Sequence, residues 1–311
     1  MKRNKILVTG GAGFIGSNLV DRLIDEGHDV VVIDNLSTGK REYINSKAKF
    51  FEADVCDAEK MQEIFEKEKF DYVFHLAAQI DVIKSVEDPM FDNKVNAVGS
   101  YNIFKASADT KVKKVIFVST GGAIYGSVDG PATEDTLIKP MSPYAIHKFA
   151  AEKYLEMFHN IHGLDYTVLR LANIYGPRQY RGGECGVITI FLHNFLNGKQ
   201  SVVYGDGKQT RDYVYVGDVI NACLGAMKGG YNGTLNIGLG KEVSVLDIIS
   251  DIEKATGEKF DYDFAPERPG EVLRSVLDAR KAKEILNWKP EFSLEEGIKK
   301  TIAWTKEPTN F

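Results

Sequence analysis

Tyr144 and Lys148 stand four residues apart just after Pro143, a spacing that sets a phenol and an ammonium on one face of a helix. A nearby ammonium favours phenolate over phenol, so such a tyrosine can serve as a base near neutral pH. The same spacing is common on exposed helices, and the pair gains chemical meaning only beside other reactive groups. Ser119 and Thr120 end the apolar run that begins at Val115, and carboxyl ends of strands line the ligand crevice in open α/β sheets. Either hydroxyl could share a substrate oxygen with the phenol, and either could instead cap the turn at Gly121-Gly122.

A second constellation lies near the N-terminus. In Ile6-Leu7-Val8-Thr9-Gly10-Gly11-Ala12-Gly13-Phe14-Ile15-Gly16, a triplet of glycines at three-residue spacing, Gly10, Gly13 and Gly16, falls between a strand-like run and a helical pattern. Three glycines alone are weak evidence, but here each has a task. Gly10 permits the tight turn, Gly13 lets backbone approach a pyrophosphate, Gly16 allows close helix packing, and the helix N-terminus attracts negative charge. Asp34 follows Gly16 by eighteen residues, near the spacing at which a carboxylate bonds both hydroxyls of a ribose. It would repel a 2′-phosphate, so the expected cofactor is NAD rather than NADP; the competing reading is that Asp34 caps the loop Asn35-Leu36-Ser37-Thr38-Gly39. Asp54-Val55 follows a further strand-like segment, where a carboxylate could accept from an adenine amino group or merely form a turn. Phe14, Ile15, Asn35, Ser37, Thr38 and Gly39 complete this expected cofactor surface.

Holding these groups in place requires alternating strands and helices. Continuous apolar runs predict buried parallel strands at Lys5 to Val8, Asp29 to Ile33, Tyr72 to Leu76, Val115 to Val118 and Thr167 to Leu171. Helical spacing predicts helices over Ile15 to Glu26, Ala58 to Lys67, Phe91 to Ala108 and Tyr144 to His162. The expected fold is α/β: a Rossmann-type doubly wound parallel sheet over residues 1–172, with a smaller C-terminal α/β substrate lobe over 173–311. In that lobe helices are expected at Val187 to Leu196, Val245 to Ala255, Arg280 to Leu286 and Leu294 to Thr305, and the strand-like Arg211 to Val216 and Thr234 to Ile237 could return to the main sheet.

Composition narrows the ligand. The 311 residues are 43% apolar and 27% charged, and 39 basic against 44 acidic side chains give a net charge of −5. That balance excludes disordered and collagen-like classes and gives no reason to expect nucleic acid or an anionic membrane as partner. A small ligand is expected instead. Cys56, Cys185 and Cys223 match no metal or disulfide spacing and suit a reducing compartment. After Met1-Lys2-Arg3 the apolar run is only Ile6-Leu7-Val8, and no later stretch approaches the ~18 residues of a membrane span. A cytoplasmic protein without a metal is expected.

Taken together, the glycine triplet with Asp34, His75-Leu76-Ala77-Ala78-Gln79, the segment from Ser119 through Gly121-Gly122-Ala123-Ile124-Tyr125-Gly126, and Tyr144 with Lys148 resemble extended short-chain dehydrogenases/reductases. Within them the chain is similar to nucleotide-sugar epimerases of the UDP-galactose 4-epimerase type, over essentially its whole length. The resemblance implies that Leu76, Ala77, Ala78, Gln79, Asn96 and Ser119 line NAD, and that Lys148 also bonds the nicotinamide ribose. It implies a UDP-sugar held by Asn173, Val187, Tyr204, Gln209, Arg211, Arg268 and Glu271, with Tyr204 packing on the uracil and Arg211 suited to bidentate recognition of the diphosphate. Thr120 and Tyr144 would meet the sugar, and Ser275 matches a position bordering it, where a small residue leaves space for a 2-acetamido group; the bland alternative is that Ser275 faces a neighbouring loop.

The implied reaction inverts C4 of the sugar. Two departures bear on it: Glu271 stands where relatives usually have Asp, and Asp81 where many have a small or hydroxyl residue. Related dehydratases and decarboxylases place acids just after the strand-end hydroxyl, whereas this chain has Gly121, Gly122 and Ala123. UDP-glucuronate 4-epimerase remains a close alternative, and a catalytically silent NAD-binding regulator is an alternative of another class. The helices expected at Phe91 to Ala108 and Ala145 to His162 carry apolar residues on more than one face, and the relatives' four-helix interface implies a homodimer.

Overall fold

The computed structural model describes residues 3–179, 186–267 and 272–306. Six strands follow one another through the first half: β1 (Lys5–Thr9), β2 (Asp29–Asp34), β3 (Lys49–Glu52), β4 (Tyr72–His75), β5 (Lys114–Thr120) and β6 (Asp165–Leu171). They pair in parallel in the order β3-β2-β1-β4-β5-β6, and a seventh strand, Gly233–Ile237, joins the outer edge of β6. The strand order reverses between β1 and β4, and the crevice at that switch point is where open α/β sheets bind ligands.

The apolar runs become strands because both faces of the sheet are covered. Ile6 and Val8 pack into one core layer with Leu19, Leu23 and Val219, while Leu7, Val31 and Ile33 pack into the other with Met61, Phe104 and Leu155. The edge strand β3 has no buried residue, so it lacks the apolar run that marks its neighbours.

Helices α1 (Phe14–Asp25), α2 (Ala58–Glu68), α3 (Val82–Glu87), α4 (Pro89–Asn93), α5 (Ser100–Asp109), α6 (Gly121–Ile124) and α7 (Pro143–His162) connect these strands. Helix α7 starts where Ser142 accepts from the Ala145 N–H with Pro143 in the first turn, and stops at Gly163, whose φ is 68°. The single helix expected from Phe91 to Ala108 is instead α4, a π-helical turn at Lys94–Gly99, and α5. Such widened turns recur at functional sites, and this one carries Asn96.

In the second half the four expected helices form, as Val187–Leu196, Val245–Thr256, Arg280–Leu286 and Leu294–Thr305. An additional helix, Val216–Lys228, was not expected; nine of its thirteen residues are buried, and its outer face is only Gly217, Asn221, Gly225 and Lys228, two of them glycines that give a weak polar signal. Of the two segments that could return to the sheet, the one at Thr234 to Ile237 does. The other, Arg211 to Val216, does not. It splits at Asp212 into Thr210–Arg211, which lies between Val243–Ser244 and Arg274–Ser275, and Tyr213–Tyr215, which pairs with Asn173–Tyr175. The break has a local cause: the buried Asp212 carboxylate accepts from the N–H groups of Leu239, Gly240 and Leu277.

Candidate active site

At the carboxyl end of the sheet, Gly10 adopts φ +70° and its N–H donates to the Ile33 carbonyl at 2.8 Å. A Cβ on Gly10 would stand 2.7 Å from the Ala77 nitrogen, and one on Gly16 only 2.1 Å from the Gly10 carbonyl oxygen. Both positions therefore exclude a side chain by contact. Gly13 differs. A Cβ there would meet only the Gly10 oxygen, at 3.2 Å, and would otherwise fill open space at the start of α1, which has no side-chain cap. That uncapped helix N-terminus with an open glycine cradle fits a pyrophosphate.

Asp34 ends β2 nearly buried, with Oδ2 accepting from the Ala12 N–H at 3.0 Å and Oδ1 from the Leu36 N–H at 2.9 Å. Burial pushes its pKa up, opposed by the two backbone donors. The bond to Leu36 is the loop-capping role, and the bond to Ala12 ties the carboxylate to the glycine turn. Asn35, Ser37 and Thr38 are exposed on the same loop, beside Gly39. Asp54 is exposed; it accepts from the Cys56 N–H at 2.8 Å, a turn, and from Asn35 Nδ2 at 3.2 Å, which joins the loops after β2 and β3. Val55 is a core residue whose carbonyl accepts from Asn102. After β4, residues 76–79 abut the glycine turn, and Asn96 clasps Gln79 by accepting from its N–H at 3.0 Å and donating to its carbonyl at 2.8 Å. Asp81 caps α3 by accepting from the Lys84 N–H at 2.9 Å.

The two candidate hydroxyls have different surroundings. Ser119 Oγ is buried and donates to Glu152 Oε1 at 2.6 Å, and Glu152 is held by Arg170 at 2.6–3.2 Å. Thr120 is half-buried at the tip of β5, where its hydroxyl accepts only a long 3.3 Å bond from the Ala123 N–H among the bonds described. Thr120 is therefore the better placed to meet a substrate. Thr120→Val is expected to lower kcat roughly 10²-fold, as for one transition-state hydrogen bond. Ser119→Ala should cost less turnover but lower the unfolding temperature, because it strips a donor from a buried carboxylate. A larger kcat loss in Ser119→Ala would assign the reactive hydroxyl to Ser119.

Lys148 is buried on α7; its Nζ donates to the Val118 carbonyl at 2.7 Å and sits 4.2 Å from the Phe117 ring centroid. Burial pushes its pKa down to about 7, against the upward pull of Glu152 and Asp92. Between about pH 7 and the ordinary value of 10.5, the unfolded chain binds a proton that the folded chain does not, so stability rises with pH across that window. Below it the full cost of the buried charge is felt. Lys148→Met is therefore expected to raise the unfolding temperature relative to wild type more at about pH 6 than at about pH 9. Equal differences at both values, read by calorimetry, would contradict the depressed lysine.

On the other wall of the crevice, Asn173 begins the strand Asn173–Tyr175 and Val187 opens the helix Val187–Leu196. Tyr204 ends the strand Ser201–Tyr204, and its carbonyl accepts from Gln209 Nε2 at 3.0 Å. Arg211 pairs in register with Ser275. An ideal Cβ on Gly122 would come no nearer to other atoms than 3.7 Å from Asn173 Oδ1 and 4.0 Å from Ser275 Oγ. A side chain at Gly122 would thus touch Asn173 and Ser275 at ordinary contact distance, which places both residues beside the β5 tip that carries Thr120. Arg268 and Glu271 lie outside the described residues, as does Cys185.

Several polar residues near this site were not anticipated. Glu152 and Arg170 form a buried pair extended by Tyr125, whose hydroxyl accepts from Arg170 Nη1 at 2.8 Å and donates to Asn236 Oδ1 at 2.8 Å. An arginine within the apolar Thr167-Val168-Leu169-Arg170-Leu171 was the available signal, since a buried cation requires a partner. Asp92 and His147 form a second pair at 2.6 Å. Among the described residues no cluster of metal-ligating side chains occurs, and no helix is long and apolar enough to cross a membrane.

Comparison with known proteins agrees with this geometry. Residues 6–238 match the model of the NAD dependent epimerase/dehydratase family. The chain is 44% identical over 302 residues to a putative UDP-glucose 4-epimerase of Methanocaldococcus jannaschii, covering 97% of this chain and 98% of the other. It superposes on the crystal structure of a Thermotoga maritima UDP-glucose 4-epimerase with UDP-glucose at TM-score 0.95 and 48% identity, covering 97% of this chain and 98% of that one. For a Thermus thermophilus UDP-glucose 4-epimerase in complex with NAD, the TM-score is 0.92 at 40% identity, with 98% and 99% covered.

Proposed function

The chain belongs to the NAD dependent epimerase/dehydratase family, and on that premise we propose that it inverts C4 of a UDP-hexose, interconverting UDP-glucose and UDP-galactose through a transient 4-keto sugar. NAD held there would supply reversible hydride transfer at the sugar C4. Gly10, Gly13, Gly16 and Asp34 would hold the cofactor, and Asn173, Arg211 and the other substrate-lobe residues would anchor UDP while the sugar turns over. Tyr144 as phenolate takes the proton of the sugar 4-hydroxyl and later gives it back. Thr120 bonds the same oxygen, and the Lys148 ammonium steadies the phenolate charge.

The observation that supports this reading over elimination or decarboxylation is the tip Gly121-Gly122-Ala123, whose Gly122 has Asn173 and Ser275 as its neighbours. No carboxylic acid projects there from the Gly121-Gly122-Ala123 tip to protonate a leaving group or take a second proton. The test is to incubate the purified protein with UDP-galactose and to separate the UDP-hexoses. UDP-glucose should accumulate to equilibrium, and the heat-released supernatant should contain NAD rather than NADP. Stoichiometric NAD without turnover of any UDP-sugar would instead identify a binding protein.

The same reading includes a homodimer. Met90, Phe91, Val98, Ile146, Tyr154 and Ile161 are exposed on α4, the π-helical turn and α7, more apolar surface than an isolated helix pair usually shows water. Light scattering should give twice the 34.6 kDa chain mass; the single-chain mass would exclude a stable pair. The half-buried Cys56 and buried Cys223, both free, support a cytoplasmic setting.

A further inference from the structure

A continuous run of hydrogen bonds crosses the site from the glycine turn to α7. Beside Gly10, Thr9 Oγ1 accepts from the N–H groups of Leu76 and Ala77 at 3.2 Å each and lies 2.7 Å from His75 Nδ1. His75 Nε2 lies 2.9 Å from Ser100 Oγ, which itself donates to the Asn96 carbonyl at 2.6 Å. Because the Ser100 proton is committed to that carbonyl, Nε2 carries the imidazole proton and Nδ1 accepts from Thr9. Burial, with Lys148 nearby, pushes the His75 pKa down to about 3, so the ring stays neutral and this order is fixed.

From Asn96 the run continues outward. Asn96 Nδ2 donates to Asp92 Oδ2 at 3.0 Å, and Gln79 Nε2 donates to the same oxygen at 2.8 Å. The other oxygen, Oδ1, is met by His147 Nδ1 at 2.6 Å. Asp92 is fully buried. One of its oxygens therefore orients two amides, while the hydrogen bonds described leave the other to the imidazole. The amides so oriented clasp the backbone: Asn96 holds Gln79, and Gln79 bonds the Asp81 N–H at 2.6 Å and carbonyl at 2.8 Å. Without the imidazole, a buried carboxylate oxygen would lack its donor, a costly state that is relieved by drawing water or by turning the amides.

We propose that His147 is a positioning residue: by donating Nδ1–H to Asp92 it fixes the Gln79 and Asn96 amides, and with them residues 76–81 that close against the Gly10 turn and grip NAD. This rests on the cofactor reading above and extends it to a residue that lies between Tyr144 and Lys148 in sequence but touches neither reacting atoms nor, on the proposed geometry, the sugar. The conservative replacement is asparagine, whose Nδ2 can take the place of Nδ1.

The test compares His147→Ala, His147→Asn and Asp92→Asn as purified holoproteins. NAD release into an excess of scavenging enzyme is expected to be about tenfold or more faster in His147→Ala, with kcat down by a similar factor and the UDP-galactose KM within about threefold of wild type. His147→Asn should restore both readouts, and Asp92→Asn should lose NAD at least as fast as the alanine variant. Wild-type NAD release and kcat in His147→Ala, even with a lowered unfolding temperature, would overturn the proposal, as would an asparagine variant no better than alanine. Should the wild type fail to turn over any UDP-hexose, the reaction assigned above falls, while the NAD release rates still decide the role of His147.

Discussion

Tyr144→Phe is expected to lower kcat by about 10³-fold or more while leaving UDP-galactose affinity within about threefold, because on the proposed mechanism it deletes the proton acceptor. The phenol stands one residue past Pro143 in α7, one turn before Lys148. Lys148 in turn is fixed by the Val118 carbonyl and the Phe117 ring, directly behind the β5 tip that presents Thr120. The residues proposed to anchor UDP lie elsewhere, on the strands and helices from Asn173 onward, so binding measured by calorimetry should survive. Turnover at the wild-type rate in the phenylalanine variant would remove Tyr144 from the reaction.

Ser275→Tyr should abolish turnover of UDP-N-acetylglucosamine, a loss of more than about 100-fold, yet spare UDP-galactose. Ser275 is 8% exposed in the strand Arg274–Ser275, with its Oγ 4.0 Å from where a Cβ on Gly122 would stand. If Ser275 borders the sugar as proposed, a phenol there would take the room that the acetamido group requires. The wild type is accordingly expected to accept the acetamido sugar alongside UDP-glucose and UDP-galactose. Equal loss on both substrates would report general damage to the site, and full activity on both would show that Ser275 faces a loop instead.

What could be read from sequence is what depends on short-range spacing. Gly10, Gly13 and Gly16 reveal their tasks because a turn, a cradle and a helix contact follow within seven residues, and Tyr144 with Lys148 because one helical turn aligns them. The buried strands were legible because two covering layers leave no polar face. The helix Val216–Lys228 was hidden because its outer face, Gly217, Asn221, Gly225 and Lys228, offers only two polar side chains among nine buried residues. Asp92, Glu152 and Arg170 were not legible as a site because each partner lies on another element, as Arg170 meets Glu152 from β6 across to α7. The choice between Ser119 and Thr120 was open for the same reason, since only the fold shows which hydroxyl Glu152 has claimed. Arg211 to Val216 reads as one strand until Asp212 turns inward toward three backbone donors from two other loops.

The strand Gly233–Ile237 has a consequence for how such enzymes can be recombined. It comes from the C-terminal half yet completes the sheet beside β6, and its Asn236 accepts from Tyr125 and donates to the Ala132 carbonyl. A chain ended after residue 172 would expose a bare parallel edge on β6 and leave the Arg170 and Tyr125 side chains short of a neighbour. The C-terminal half is therefore not a cassette: a chimera that exchanges it must either import a matching seventh strand with its asparagine or keep the host's own, and a chimera that does neither should fail to fold before substrate choice is ever tested.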